Sequence, residues 1–330
     1  MANSATIRLA VCAFAVFSLC VAVAKETKLT IEPDIMTLRE KLDAMPPQVF
    51  QRMLERGRLV GSPGLTWDKS VLTVAIKGGS EELNQLIEQT ANEWTASGGR
   101  LSFSFKDDAG HYRLWTTEDT TPAADIRIGF DKSGYWSLLG MLSTRADANE
   151  ETMNYEKFPE ELKEFYGGQN ADGWRVSYFR RTILHEFGHA LGLSHEHYNP
   201  QCQIDLDMPA VVKYLMGPPN NWSEEMAKFS MDAQYFAEKM TEAAGDAFAL
   251  FNRPAIDQKS VMLYVLSPKF FKSGNNSVCN AIGDHKQPWS TELSEGDKQF
   301  YLANYGIGHS PLGGAGAQPK VNPEAAPELQ

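Results

Sequence analysis

Four residues carry the chemistry of this sequence: His185, Glu186, His189 and His195, in the run His185-Glu186-Phe187-Gly188-His189-Ala190-Leu191-Gly192-Leu193-Ser194-His195-Glu196. Two histidines four apart share one face of a helix, so His185 and His189 can present two imidazoles to one metal ion. Glu186 follows the first of them and can lean toward water on the open side of that ion. Gly192 accepts positive φ, which lets the helix stop and the chain turn. The turn would return His195 as a third ligand. Three protein ligands leave a fourth position for water, the arrangement of catalytic rather than structural zinc. A bare H-E-x-x-H also arises by accident as a solvated histidine pair. The glycine and the third histidine at fixed offsets set this sequence apart from that case.

A second signal lies downstream, in Lys259-Ser260-Val261-Met262-Leu263-Tyr264. Together the extended zinc motif and this S-x-M-x-Y turn resemble the astacin family of metzincin metalloproteases. His195-Glu196 matches the family's Glu after the third His. Gly134-Tyr135-Trp136-Ser137-Leu138-Leu139-Gly140 is similar to its G-x-W-S-x-x-G segment. The resemblance runs from about Leu65 to Tyr305. It implies that Tyr264 binds zinc in the resting enzyme and swings away to hydrogen-bond the tetrahedral intermediate. It also implies that Met262 is an apolar floor beneath the imidazoles, and that Glu196 is structural, fastening the N-terminal region of the mature enzyme. Two features depart from the family. No F-x-G-D pattern precedes the domain, and few cysteines are present.

The chain has 330 residues, 42% hydrophobic and 22% charged, with a net charge of −11. Such acidity argues against a nucleic-acid footprint. An apolar run from Leu9 to Val23 follows Arg8 and ends in Ala22-Val23-Ala24. This pattern reads as a signal peptide over residues 1–24, too short for a membrane span. Cys12 and Cys20 leave with it. Cys202 and Cys279 then remain, and an oxidising compartment invites a disulfide between them, two separate thiols being the alternative.

These residues need elements to hold them. Residues 25–61 read as a pro-segment or N-terminal cap. A catalytic domain follows over residues 62–305, and a Gly/Pro/Ala-rich disordered tail over 306–330. Val71–Ile76 reads as a strand. Glu81–Ala96 reads as a helix with Ser80 as N-cap. Alternating Leu101, Phe103 and Phe105 give a second strand, and Asp125–Phe130 a third. Met141–Arg145 and Thr152–Tyr155 are weaker strand candidates. The zinc helix is expected over Ser177–Gly192, and a closing helix over Ser294–Tyr305. The fold class is therefore α+β: a twisted mixed sheet with two long helices, an active-site cleft floored by the zinc helix, and a largely irregular C-terminal subdomain holding the Met-turn.

This reading makes the chain a secreted zinc endopeptidase with one catalytic Zn2+. Glu186 is its general base and acid, and its substrate is a polypeptide laid along an edge strand. No nucleic-acid partner and no stable membrane insertion are expected, and the oligomeric state is open. Two alternatives stand beside it: an idle binding protein that kept the fold, and a zinc hydrolase of a non-peptide bond. His197 is expected near the ligands or at the surface, and His111, His285 and His309 at the surface.

Overall fold

The computed structural model describes residues 65–161, 173–218, 220–244, 255–282 and 289–307. Residues 1–24, where a signal peptide is expected, the segment 25–61, His285, His309 and the residues beyond 307 lie outside the described residues.

Strand β1 (Val71–Ile76) is second from one edge of a five-stranded sheet. The others are β2 (Ser102–Ser104), β3 (Ile126–Gly129), β4 (Tyr135–Ser137) and β5 (Met153–Tyr155), in the order β2-β1-β3-β5-β4. Every pairing is parallel except β4 with β5. Side chains alternate across a strand. Leu72, Val74 and Ile76 thus enter the main core, while Ala75 packs with Trp115 and Ala124 in a small cluster of its own.

Helix α1 (Glu81–Ala91) starts where the Ser80 hydroxyl accepts the Leu83 N–H at 3.2 Å. Glu81 and Glu82 in the first turn complement its dipole. Its apolar face, with Leu83, Ile87 and Ala91, is buried on the zinc helix α2 (Gly173–Ala190) and the sheet. Phe187 of α2 meets Phe103 of β2 edge-on at 5.0 Å, and the Trp94 indole N–H donates to the Leu184 carbonyl at 3.0 Å. Sheet and helix pair share one core with the helix that carries the first two histidines.

One weak strand candidate is overturned. Gly140–Arg145 is a 3-10 helix, entered by Gly140 at φ 46°. Hydroxyls within it, Ser143 to Gly140 O and Thr144 to Met141 O, close the turns locally. The other weak candidate, Thr152–Tyr155, is β5. Helix α2 starts earlier than the sequence suggests, at Gly173, and α1 ends earlier, at Ala91.

The second half is more helical than expected. Helices α3 (Pro200–Asp205), α4 (Met208–Met216), α5 (Glu224–Met231) and α6 (Ala233–Ala244) follow the zinc motif. Closing helix α7 (Glu295–Tyr305) opens with a capping box between Ser294 and Asp297. Cys202 and Cys279 are both fully buried and form a disulfide with Cα atoms 5.5 Å apart. That bridge ties α3 to the segment after the Met-turn. No helix among the described residues is long and apolar enough to cross a membrane.

Candidate active site and metal centre

Helix α2 delivers His185, Glu186 and His189 from its last turns. Gly192, at φ 97°, ends it, and the Leu193 N–H returns to the Gly188 carbonyl at 3.0 Å. The chain then doubles back and brings in His195. The ligand nitrogens of His185, His189 and His195 all lie within 4.8 Å of one another, in a buried group.

Two of the three rings are aimed by backbone carbonyls. His185 Nδ1 meets Val261 O at 2.6 Å, and His189 Nδ1 meets Leu193 O at 2.7 Å. A carbonyl can only accept, so each Nδ1 carries the proton and each Nε2 keeps a lone pair. His189 Nε2 and His195 Nε2 stand 3.2 Å apart. Zinc–nitrogen bonds of about 2.0–2.1 Å would separate two tetrahedral ligands by about 3.4 Å. Neutral imidazoles suit this borderline-soft ion. The donor set and the His189–His195 spacing therefore fit one catalytic zinc.

The turn that carries Met262 is held on every side. Its Ser260 hydroxyl donates to Asp297 Oδ1 at 2.6 Å, and the Val261 N–H donates to Asp297 Oδ2 at 3.1 Å. The Met262 carbonyl accepts the Glu196 N–H at 3.0 Å, and the Leu263 carbonyl accepts an Arg181 guanidinium N–H at 2.8 Å. Met262 is 1% exposed, and a Cβ placed on Gly188 would run into its sulfur. The thioether thus lies directly against α2 at Gly188.

Glu196 points elsewhere, accepting the Asp257 N–H at 2.9 Å. Asp257 in turn accepts the Ser294 hydroxyl at 2.7 Å. Within the described residues this carboxylate joins the site to the cap of α7. Tyr264 reaches the centre: its ring lies 4.5 Å from that of His195 and 6.2 Å from that of His185.

His197 is not at the surface. It is fully buried, stacks on Tyr264 at 4.5 Å, and places Nε2 2.9 Å from Ser230 O. His111 is exposed, as expected. The sequence did not disclose Asp297, Arg181 or Tyr155. Asp297 is buried, and burial pushes its carboxyl up while the Ser260, Val261 and Ser294 donors pull it down. Tyr155 is fully buried; burial first, and the Glu186 charge second, push its phenol well above the ordinary range. A neutral phenol thus stands near the Glu186 carboxylate. The centre is enclosed as described, with His185 and Glu186 at zero exposure and His195 at 8%.

No family model matches the sequence, and no curated protein matches it. Solved structures do. One structure of myroilysin is 27% identical, covers 73% of this chain and 95% of its own, and superposes with a TM-score of 0.51. A second myroilysin crystal structure is 26% identical, with 80% and 98% covered and a TM-score of 0.46. High choriolytic enzyme 1, a hatching enzyme zinc-protease from Oryzias latipes, is 15% identical, with 70% and 87% covered and a TM-score of 0.36. With its three converging histidines, its Met262 turn and the fold it shares with myroilysin, this chain has the site and architecture of an astacin-like zinc metalloendopeptidase.

Proposed function

We propose that this chain is an exported endopeptidase in which Glu186 moves the protons of peptide hydrolysis. One observation carries the reading: the Nδ1 atoms of His185 and His189 are tied to carbonyls, so their Nε2 atoms converge with that of His195 beside a buried carboxylate. His185, His189 and His195 would hold the zinc. Bound there, zinc supplies Lewis acidity and lowers the pKa of water to about 7.

Glu186 is the base placed to take the proton of an attacking water, and it then returns a proton to the departing amine. Tyr264 can donate its phenolic hydrogen to the developing oxyanion. Met262 and Gly188 make the dry floor that keeps the imidazoles in register, and Val261 fixes the first ring's tautomer. The peptide pairs with the outer edge of β4. Export is supported by the leader pattern of residues 1–24 and by a disulfide suited to an oxidising compartment.

The test is digestion of an unstructured protein such as casein, with and without a chelator, by the wild type and by Glu186→Gln. Chelator-sensitive cleavage that Glu186→Gln loses while keeping its metal is the expected result. Cleavage by Glu186→Gln at the wild-type rate removes Glu186 from the mechanism. A chain that holds zinc and cleaves no peptide leaves the idle binding protein as the better reading.

A further inference from the structure

Helix α2 ends one residue past His189, so its last carbonyls need partners beside the metal site. The final C=O groups of a helix have none within it. Here Phe187 O accepts the Leu191 N–H at 3.0 Å, Gly188 O the Leu193 N–H at 3.0 Å, and His189 O the Gly192 N–H at 2.8 Å. The turn at Gly192 satisfies those three from its own backbone. The next two carbonyls are taken by side chains. Ala190 O accepts the Trp67 indole N–H at 2.8 Å, and Leu191 O accepts the Tyr305 hydroxyl at 2.7 Å.

Both donors come from far away in sequence, 123 positions for Trp67 and 114 for Tyr305, and both are buried. Trp67 precedes β1, and Tyr305 is the last residue of α7. They are also joined to each other. The Tyr305 hydroxyl oxygen accepts the Trp67 backbone N–H at 3.3 Å while it donates to Leu191 O. Arg100 holds the pair together: its backbone N–H donates to Tyr305 O at 2.6 Å, and its guanidinium donates to Trp67 O at 2.9 Å and Lys69 O at 2.8 Å. The residues before Trp67 lie over the turn itself. A Cβ on Gly192 would stand 3.4 Å from the Leu65 carbonyl oxygen and 3.7 Å from the Thr66 methyl.

From this geometry we infer that Trp67 and Tyr305 are positioning residues of the metal centre, which clamp the backbone between His189 and His195. Ala190 and Leu191 lie between the second histidine and the Gly192 turn. That turn sets two features of the site. It carries Leu193, whose carbonyl holds the His189 Nδ1 proton at 2.7 Å, and it leads directly into His195. Removing either donor leaves a buried carbonyl at the turn without its bond, a penalty the backbone relieves by moving. A turn that moves shifts the carbonyl that aims His189 and displaces His195. The two ends of the described domain thus meet on the stretch of backbone that must stay fixed for two of the three nitrogens to converge. The inference concerns the metal centre and holds whichever bond the enzyme cuts.

Two variants of the full chain test this. Tyr305→Phe keeps the ring and removes both hydroxyl bonds. Trp67→Phe keeps an aromatic ring and removes the indole donor. Zinc affinity is read by competition with a chromogenic chelator, and the coordination geometry by the visible absorption of the cobalt-loaded protein. Each variant should bind zinc about tenfold more weakly, the lower end of the effect of partners outside the ligand shell, and its cobalt bands should differ from those of the wild type. Tyr301→Phe is the control. It lies one turn earlier on α7, is equally buried, and donates its hydroxyl to Leu101 O at 2.8 Å instead of to α2. It should lose stability and keep the wild-type zinc affinity and cobalt spectrum. Wild-type zinc affinity in Tyr305→Phe overturns the inference. An equal loss of affinity in Tyr301→Phe overturns it too, since the effect would then be one of general destabilisation. Where Trp67→Phe does not fold, Tyr305→Phe decides the matter alone. A wild-type chain that binds neither zinc nor cobalt removes the clamp and the three-histidine site together.

Discussion

Asp297 lies 36 positions beyond Val261, yet replacing it is expected to weaken metal binding. Its two oxygens accept from Ser260 Oγ, the Val261 N–H and the Ser294 N–H at 2.6, 3.1 and 3.0 Å. Asp297→Asn keeps the shape, and its amide oxygen can still accept the Val261 and Ser294 N–H groups. Its NH2 then faces Ser260 Oγ, so that hydroxyl must turn from donor to acceptor, and all three bonds lose their charged acceptor. Bonds to charged groups contribute about 1.5–3 kcal/mol against about 0.5–1.5 for neutral ones, so a fall in stability of roughly 1–3 kcal/mol is expected. The specific consequence runs through Val261, whose carbonyl aims His185 Nδ1 at 2.6 Å. Outer-shell partners of this kind change metal affinity by about 10–100-fold, or about 1.4–2.8 kcal/mol. Zinc affinity is read by competition with a chromogenic chelator. Asp205→Asn is the control: Asp205 accepts Ser273 N–H at 2.9 Å and the hydroxyls of Ser273 and Ser277 at 2.5 and 2.6 Å, but touches no part of the Met262 turn. It should lose stability and keep its zinc affinity. Equal zinc affinity in Asp297→Asn and wild type would refute the argument that the carboxylate acts on the metal through Val261.

Three further outcomes follow from the same geometry. Tyr264→Phe should retain zinc and lower kcat by about 10²–10³, the loss typical of one oxyanion donor, with steady-state kinetics on a short peptide as the check; unchanged kcat makes Tyr264 a packing residue. Activity should fall in mild acid, because metal ligands must be deprotonated and a protonated imidazole cannot bind metal. Metal content measured across the same pH range must fall with activity, and full activity with zinc retained at pH about 4 contradicts this. Cys202→Ser with Cys279→Ser opens a bridge spanning 77 positions, and the chain-entropy argument gives a loss of about 4–5 kcal/mol; denaturant midpoints within error of the wild type would rule that out.

Much of the site was legible because its chemistry is local in sequence. His185, Glu186, His189, Gly192 and His195 lie within eleven positions, and helical periodicity plus one glycine suffice to fold them together. Ser80 as a cap and the β-branched run of β1 were readable for the same reason. Asp297 was not. As the third residue of a helix after Ser294 it reads simply as half of a capping box, and its second task, holding the Met262 turn, is set by tertiary packing. Arg181 reads as a helix charge until its contact with Leu263 O is seen. His197 reads as a residue beyond a turn, because helix α5, which meets it through Ser230, carries no motif. Met141–Arg145 has the composition of a strand, but Gly140 at positive φ and the Leu65 carbonyl turn it into a helix. β4 has only three residues, too few for periodicity to register, although its Trp-Ser segment was noticed by resemblance.

The central claim is that three histidines on two segments close on one cation. Metal analysis of the purified protein, with His195→Ala beside the wild type, tests it most directly. The account predicts one zinc per wild-type chain, removed by chelator and restored on adding zinc, and a large loss of occupancy in His195→Ala at equal protein concentration. A wild-type chain that takes up no divalent metal, or a His195→Ala chain that holds zinc as tightly as the wild type, contradicts it.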